Sequence, residues 1–279
     1  MLAEAVTAVD PSHNPRALLW VLPLAAITVA AYGRWTSRVA ACGGRVATDQ
    51  SRLPDLFFTV ALGLLFCFVA FLGFTTTKEE PALSVKLLLA DAAIKLVVMA
   101  VFLTFLAVRE VKFISLFGLR ALSLGQVVGR AVLFLLAALP AMLALGLLVT
   151  YFSAKPEEQQ IVSFFRDQAK HGDFSGLVTV FMTASIGAPL MEELLFRGYF
   201  YPTLKRFLGP IASAVLVSLL FAAFHANLAA LPALFVLALC LTVAYECTGS
   251  LLVPMTMHAL FNTTSLAVMY YQATHATPP

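Results

Sequence analysis

The chain has 279 residues and a formal net charge of +3, with 61% hydrophobic and only 12% charged residues. Soluble domains carry about a quarter of their residues as charges, so this composition excludes a soluble globule, a disordered chain, a secreted disulfide scaffold and a compact nucleic-acid module. It predicts an integral membrane protein whose first partner is the lipid bilayer and which has no nucleic-acid partner.

In chain order, apolar runs long enough to cross roughly 30 Å of hydrocarbon fall at 17–32, 56–76, 82–108, 131–152, 177–204, 210–226, 228–247 and 251–271. These runs are apolar on every face, whereas barrel strands alternate. The expected fold class is therefore all-α, a polytopic membrane protein of about eight transmembrane helices. The first run follows a stretch with a single basic residue, Arg16, too weak a start for a signal peptide, and reads as a span. Segment 111–128 mixes apolar and basic residues and reads as interfacial. Segment 153–175 reads as the largest polar loop. Ser175 at its end misses a GxSG motif by one position, and its activation would also need a positioned base, so it reads as a span-edge residue. Cys42, Cys67, Cys240 and Cys247 have no metal-ribbon spacing and read as packing residues.

Ten lysines and arginines cluster on one side of these spans: Arg34, Arg38, Arg45, Arg52, Arg109, Lys112, Arg120, Arg130, Lys205 and Arg206. Five lie on the other: Arg16, Lys78, Lys155, Arg166 and Lys170, accompanied by Glu79, Glu80, Glu157, Glu158, Asp167 and Asp173. The bias predicts that the first side is cytoplasmic and both termini are not. No linker or internal repeat divides the chain. Its expected organisation is four helices with their loops over 1–174, a helical core over 175–272 and a tail over 273–279.

Three cations remain inside the runs: Lys86, Lys95 and Arg197. Each requires a partner or water. Asp91 and Lys95 are four apart and can neutralise one another. In the fifth run Glu192 and Glu193 are adjacent, with Arg197 four residues after Glu193, so one carboxylate is held by the arginine while the other, about 100° round the helix, is free for another neighbour. Arg197 is also the expected cation that keeps Glu192 ionised. Of five histidines only His225 and His258 fall in runs; Phe221 precedes the first by four residues and Asn262 follows the second by four. Counting 1.5 Å per residue from the basic side gives depths of about 18 Å for Glu192, 22 Å for His225 and 10 Å for His258. Each histidine alone reads equally as a polar clamp between helices. A carboxylate, two imidazoles and an amide in one wet cavity supply the parts for hydrolysis.

Glu192-Glu193-x-x-x-Arg197, Phe221-x-x-x-His225 and His258-x-x-x-Asn262, with Phe196-Arg197-Gly198 after the glutamates, resemble the three-motif signature of the CPBP family, the type II CAAX prenyl endopeptidases or ABI family. The resemblance implies an intramembrane endopeptidase acting on a membrane-associated or lipidated peptide or protein, in a bacterial plasma membrane, with a cavity opening toward the cytoplasm. It implies that Glu192 and His225 activate water and that His258 and Asn262 hold the oxyanion. Glu193 and Arg197 would support the centre, with Phe221 packed beside it. It implies hydrolysis without a cofactor, although Glu192, His225 and His258 would also satisfy a zinc shell; the helical zinc-protease pattern HExxH is absent. The competing reading is a non-catalytic transporter, receptor or scaffold that uses the same polar cluster to bind an ion or ligand.

Overall fold

The computed structural model describes residues 19–75, 82–152 and 159–275; Arg16, Lys78, Glu79, Glu80, Lys155, Glu157 and Glu158 of the charge count lie outside them. Among the described residues there are ten helices and no strand: α1 Val21–Cys42, α2 Leu53–Thr75, α3 Val85–Val108, α4 Phe113–Leu116, α5 Leu124–Phe152, α6 Gln160–His171, α7 Phe174–Leu208, α8 Pro210–Phe224, α9 Leu231–Thr248 and α10 Leu252–His275. The fold is all-α and polytopic. Each of the eight expected runs is helical, but α2, α3, α5, α7 and α9 alone among the described residues are long and apolar enough to cross a membrane by length and composition. Helix α8 has 15 residues, about 22 Å at 1.5 Å per residue. Polar residues such as His258, Asn262, Thr263, Thr264 and Ser265 dilute α10, which is tolerable because its polar side faces other helices.

Several boundaries differ from expectation. Helix α1 runs ten residues past Tyr32, so Arg34 and Arg38 lie on its last turns rather than in a loop. Helix α5 starts at Leu124, which puts Arg130 inside it, and the segment expected to lie at the interface is instead the four-residue α4 and a turn that buries Leu116 and Phe117. The polar loop contains α6, whose Val162, Phe165 and Ala169 are buried at helical spacing. Lys86 lies, as expected, within a span, but exposed in the first turn of α3. Ser175 lies in the first turn of α7, its amide bonded to the capping carboxylate of Asp173.

Helix α9 is the centre of the bundle. Ala238, Leu241, Ala244 and Tyr245 are fully buried against α5, α8 and α10, with small residues letting the backbones approach. Helices α2 and α3 lie at the periphery and keep Leu64, Phe68, Ile94 and Val97 exposed, as a lipid-facing surface requires. Helix α1 locks onto α5 where Pro140 breaks the hydrogen-bond ladder. Thr28 Oγ1 donates to Ala137 O at 2.8 Å and accepts from Ala141 N at 3.1 Å, so a side chain from one helix fills the gap in the other.

The ends of the helices that carry the ten basic residues form one end of the bundle, fastened by two carboxylates. Asp55 accepts from Arg109 and from Tyr199 Oη. Glu246 accepts from Tyr201 Oη at 2.7 Å and Val46 N at 3.2 Å and pairs with Lys205 at 2.6 Å. Gly118, at φ +59°, lets this end close, because a Cβ there would overlap the Gly249 carbonyl.

Candidate active site

Helix α7 is one 35-residue rod, but two of its turns are widened to π geometry, Met182–Gly187 and Phe196–Phe200. The amide of Ala188 bonds Thr183 O, and that of Tyr201 bonds Phe196 O, both five residues back. Each widened turn is followed by proline, Pro189 and Pro202. A proline ring crowds the carbonyl four residues earlier and brings no N–H, and a wider turn relieves the crowding. One carbonyl in each place loses its donor. Ala188 N is engaged by Thr183 and Pro189 has no proton to give, so Ala184 O lacks a backbone partner. Asn262 on α10 supplies one, donating Nδ2–H to Ala184 O at 2.7 Å. The eight residues from Phe196 to Thr203 are buried without a break, and the rod thereby enters the middle of the bundle.

Between the widened turns lie the two glutamates, which face different ways. Glu193 is 0% exposed; its Oε1 accepts from Arg197 at 2.9 Å and bonds His258 Nδ1 at 3.0 Å. Arg197, also 0% exposed, donates a second bond to Ala238 O at 3.0 Å and lies with its guanidinium carbon 4.6 Å from the Phe221 ring centroid. The expected i, i+4 pair is present; the hydrogen bonds of Arg197 go to Glu193 and α9, and Glu192 lies within its electrostatic reach. A carboxylate paired to arginine accepts only, so His258 donates from Nδ1 and its Nε2 faces away from Glu193.

Glu192 points to that Nε2. Its Oε2 is 3.9 Å from His258 Nε2 and 3.9 Å from His225 Nε2, and this buried oxygen has no hydrogen-bond partner among the described residues. His225 is not inside α8, the helix of the sixth apolar run, but caps its C-terminus, with Nδ1 2.8 Å from Phe221 O. Donation to that carbonyl leaves a lone pair on Nε2. Phe221 is fully buried between the two imidazoles and Arg197, with ring centroids 4.7 Å from His225 and 5.8 Å from His258. The three motifs thus meet at one place, despite depths that straight counting spreads from about 10 to 22 Å.

The meeting place borders a cavity of about 180 Å³, whose lining includes Glu192, His225, His258, Asn262 and, from α3, Asp91 and Lys95. Asp91 and Lys95 form the expected pair at 2.6 Å, about half exposed. A zinc ion binding two imidazoles and a carboxylate at about 2.0–2.1 Å would hold those atoms roughly 3.3 Å apart. The observed 3.9 Å separations are wider, and among the described residues no group of three or more His, Cys, Asp or Glu fits a metal ion. The trio as arranged does not match the alternative zinc shell.

Gln159, Ile161 and Ala230 also line the cavity. They belong to the end of the bundle where α6 lies and α9 begins, opposite the arginine-rich end. A cytoplasmic basic end and a cavity opening toward the cytoplasm are both expected; part of the cavity lining lies toward the end of the bundle opposite the basic residues. Two buried carboxylates went unread in the sequence, Asp55 and Glu246, although an acidic residue in or beside an apolar run is itself a signal. Their partners assign them to fastening the basic end.

No curated protein and no solved structure matches this chain. Residues 174–264 match the family described as Type II CAAX prenyl endopeptidase Rce1-like, and the match contains all three motifs. Over residues 174–264, about a third of its length, the chain is therefore similar to the Rce1-like family of type II CAAX prenyl endopeptidases.

Proposed function

We propose that the protein is an intramembrane endopeptidase that hydrolyses a peptide bond of a membrane-associated or lipidated peptide with water activated by Glu192 and His225. The observation that carries this reading is the position of Glu192 Oε2, 3.9 Å from two imidazole nitrogens. That is too long for a direct hydrogen bond. It suits one bridging water, which at about 2.8 Å from both atoms of such a pair subtends an angle of about 90°.

In this mechanism the water gives a proton to Glu192 Oε2 while His225 Nε2 accepts its second hydrogen bond. The water oxygen bonds the scissile carbonyl carbon, and the carbonyl π electrons move to oxygen. His258, protonated on both nitrogens and held by Glu193, donates Nε2–H to that oxyanion, joined by the second N–H of Asn262. On collapse the C–N bond breaks and the proton taken by Glu192 passes to the leaving nitrogen. Glu193 and Arg197 position His258, and Phe221 keeps the imidazoles apart and oriented. No cofactor enters these steps.

The host membrane in this reading is a bacterial plasma membrane. The lysine and arginine bias makes the basic end cytoplasmic, and the cavity mouth then faces the other side. The transporter, receptor or scaffold alternative would use the same carboxylate and imidazoles to hold an ion or ligand, and it predicts no cleavage by wild type. The test is incubation of purified protein in detergent with a library of lipidated and unlipidated peptides, wild type beside Glu192→Gln, read by mass spectrometry. New internal cleavage products with wild type and none with the variant are expected. Identical product spectra overturn the proposal.

A further inference from the structure

A second cavity lies at the basic end, away from Glu192 and Glu193, between the last turns of α1, the first turns of α5 and the end of α9. Its volume is about 470 Å³, and its lining includes Arg38, Arg45, Arg130, Trp35 and Glu246. The guanidinium groups of the three arginines have no hydrogen-bond or ion-pair partner among the described residues. Glu246, the acidic member of the lining, is already neutralised by Lys205 and bonded by Tyr201 and Val46 N. The cavity therefore presents three uncompensated positive charges. Gly44 shapes it: at φ +73°, it lets the strand of chain carrying Arg45 lie directly on the Glu246 carboxylate, where any Cβ would collide.

From these observations we infer that this groove binds the phosphodiester headgroup of an anionic phospholipid. Guanidinium forks match phosphate oxygens in pairs. Arginine-lined pockets between helices at the cytoplasmic interface suit such headgroups. A lipid rather than a free phosphate is the ligand because the apolar surface continues past the arginines. Leu133 lines the cavity and is 55% exposed, and Leu136, one turn further into α5, is 60% exposed. A headgroup held by Arg130 sets its acyl chains along these leucines. Trp35, whose ring packs 4.3 Å from that of Phe134, supplies the amphipathic ring found at the headgroup level.

The experiment uses the full chain, delipidated in detergent, with native mass spectrometry and thermal melting during titration with phosphatidylglycerol, phosphatidylcholine or inorganic phosphate. Phosphatidylglycerol is expected to form a one-to-one adduct and raise the melting temperature, and the other two to do neither at equal concentration. Arg38→Gln, Arg45→Gln and Arg130→Gln each weaken the adduct about fivefold and together about a hundredfold. A control triple variant, Arg34→Gln/Arg52→Gln/Arg120→Gln, removes the same charge from exposed positions at the same end and leaves the adduct intact. Equal binding of phosphatidylcholine, competition by inorganic phosphate at matched concentration, or equal loss in the two triple variants overturns the inference. If the groove triple variant does not fold, the three single variants decide it by the same readout.

Discussion

Replacing Glu192 or Glu193 with glutamine removes the same charge from adjacent residues, and the structure gives the two changes opposite signatures. Glu193 is wholly buried and its Oε1 serves both Arg197 and His258. Glutamine there leaves the guanidinium in the bundle core with no directly paired anion, a change that costs about 3–5 kcal/mol. At roughly 2 °C per kcal/mol for a chain of this size, melting falls by about 6–10 °C. Glu192 has a buried oxygen with no protein partner, so Glu192→Gln removes a desolvated charge without orphaning a neighbour. Its melting temperature stays within about 2 °C of wild type, while turnover drops by about 10²–10⁴. Both variants are compared with wild type by thermal melting in detergent and by cleavage of a fluorogenic membrane peptide. A Glu193→Gln protein as stable as wild type refutes the buried-pair argument, and a Glu192→Gln protein that still turns over refutes the water-activation argument.

His225→Ala lowers kcat by about 10²-fold or more with little effect on melting, since the imidazole caps a helix end instead of filling the core; an unchanged kcat removes His225 from the mechanism. Asn262→Ala costs about 10²-fold in kcat, the worth of one oxyanion donor, with KM nearly constant, and a change confined to KM contradicts that role. Prolonged treatment with strong zinc chelators leaves cleavage intact; loss restored by added zinc replaces the proposed chemistry with a metal mechanism. In a background lacking the exposed thiols Cys42 and Cys67, an impermeant maleimide labels Lys170→Cys in intact cells and Arg206→Cys only after lysis; the reverse pattern inverts the orientation. Pro189→Ala lets the turn at 182–187 tighten, freeing a backbone proton for the main chain and loosening the Asn262 bond to Ala184, so activity falls about tenfold or more at equal or higher melting temperature.

Much of the fold was legible because apolar runs translate directly into helices, and the site because three motifs at four-residue spacing put their paired residues on common helix faces. Helix α6 was missed although Val162, Phe165 and Ala169 follow helical spacing, because its polar composition was read as loop. Depth counting does not align Glu192, His225 and His258 because it takes every helix to start at one level and run upright; the widened turns of α7 touch only the figure for Glu192. Arg197 acts on the two glutamates differently: residues 193 and 197 share a face and pair directly, while Glu192, turned toward the imidazoles, feels the guanidinium charge without a bond to it. The bond from Glu193 to His258, 65 residues apart, joins two helices whose relative rotation no local pattern encodes. The opposed positions of cavity and basic end became visible only when the cavity lining was traced to α6 and the start of α9.

The two prolines of α7 give the site a particular kind of robustness. Where Glu192 and Glu193 aim is written in the main chain, by ring-closed residues whose own side chains carry no charge and no reactive atom. Outward-facing residues such as Leu190 and Ile186, both exposed to the surroundings, are therefore free to drift with lipid composition without turning either carboxylate. A change in the number of residues between Pro189 and Pro202 has no such freedom, because it swings one acidic group away from its imidazoles and the other from its arginine in a single step.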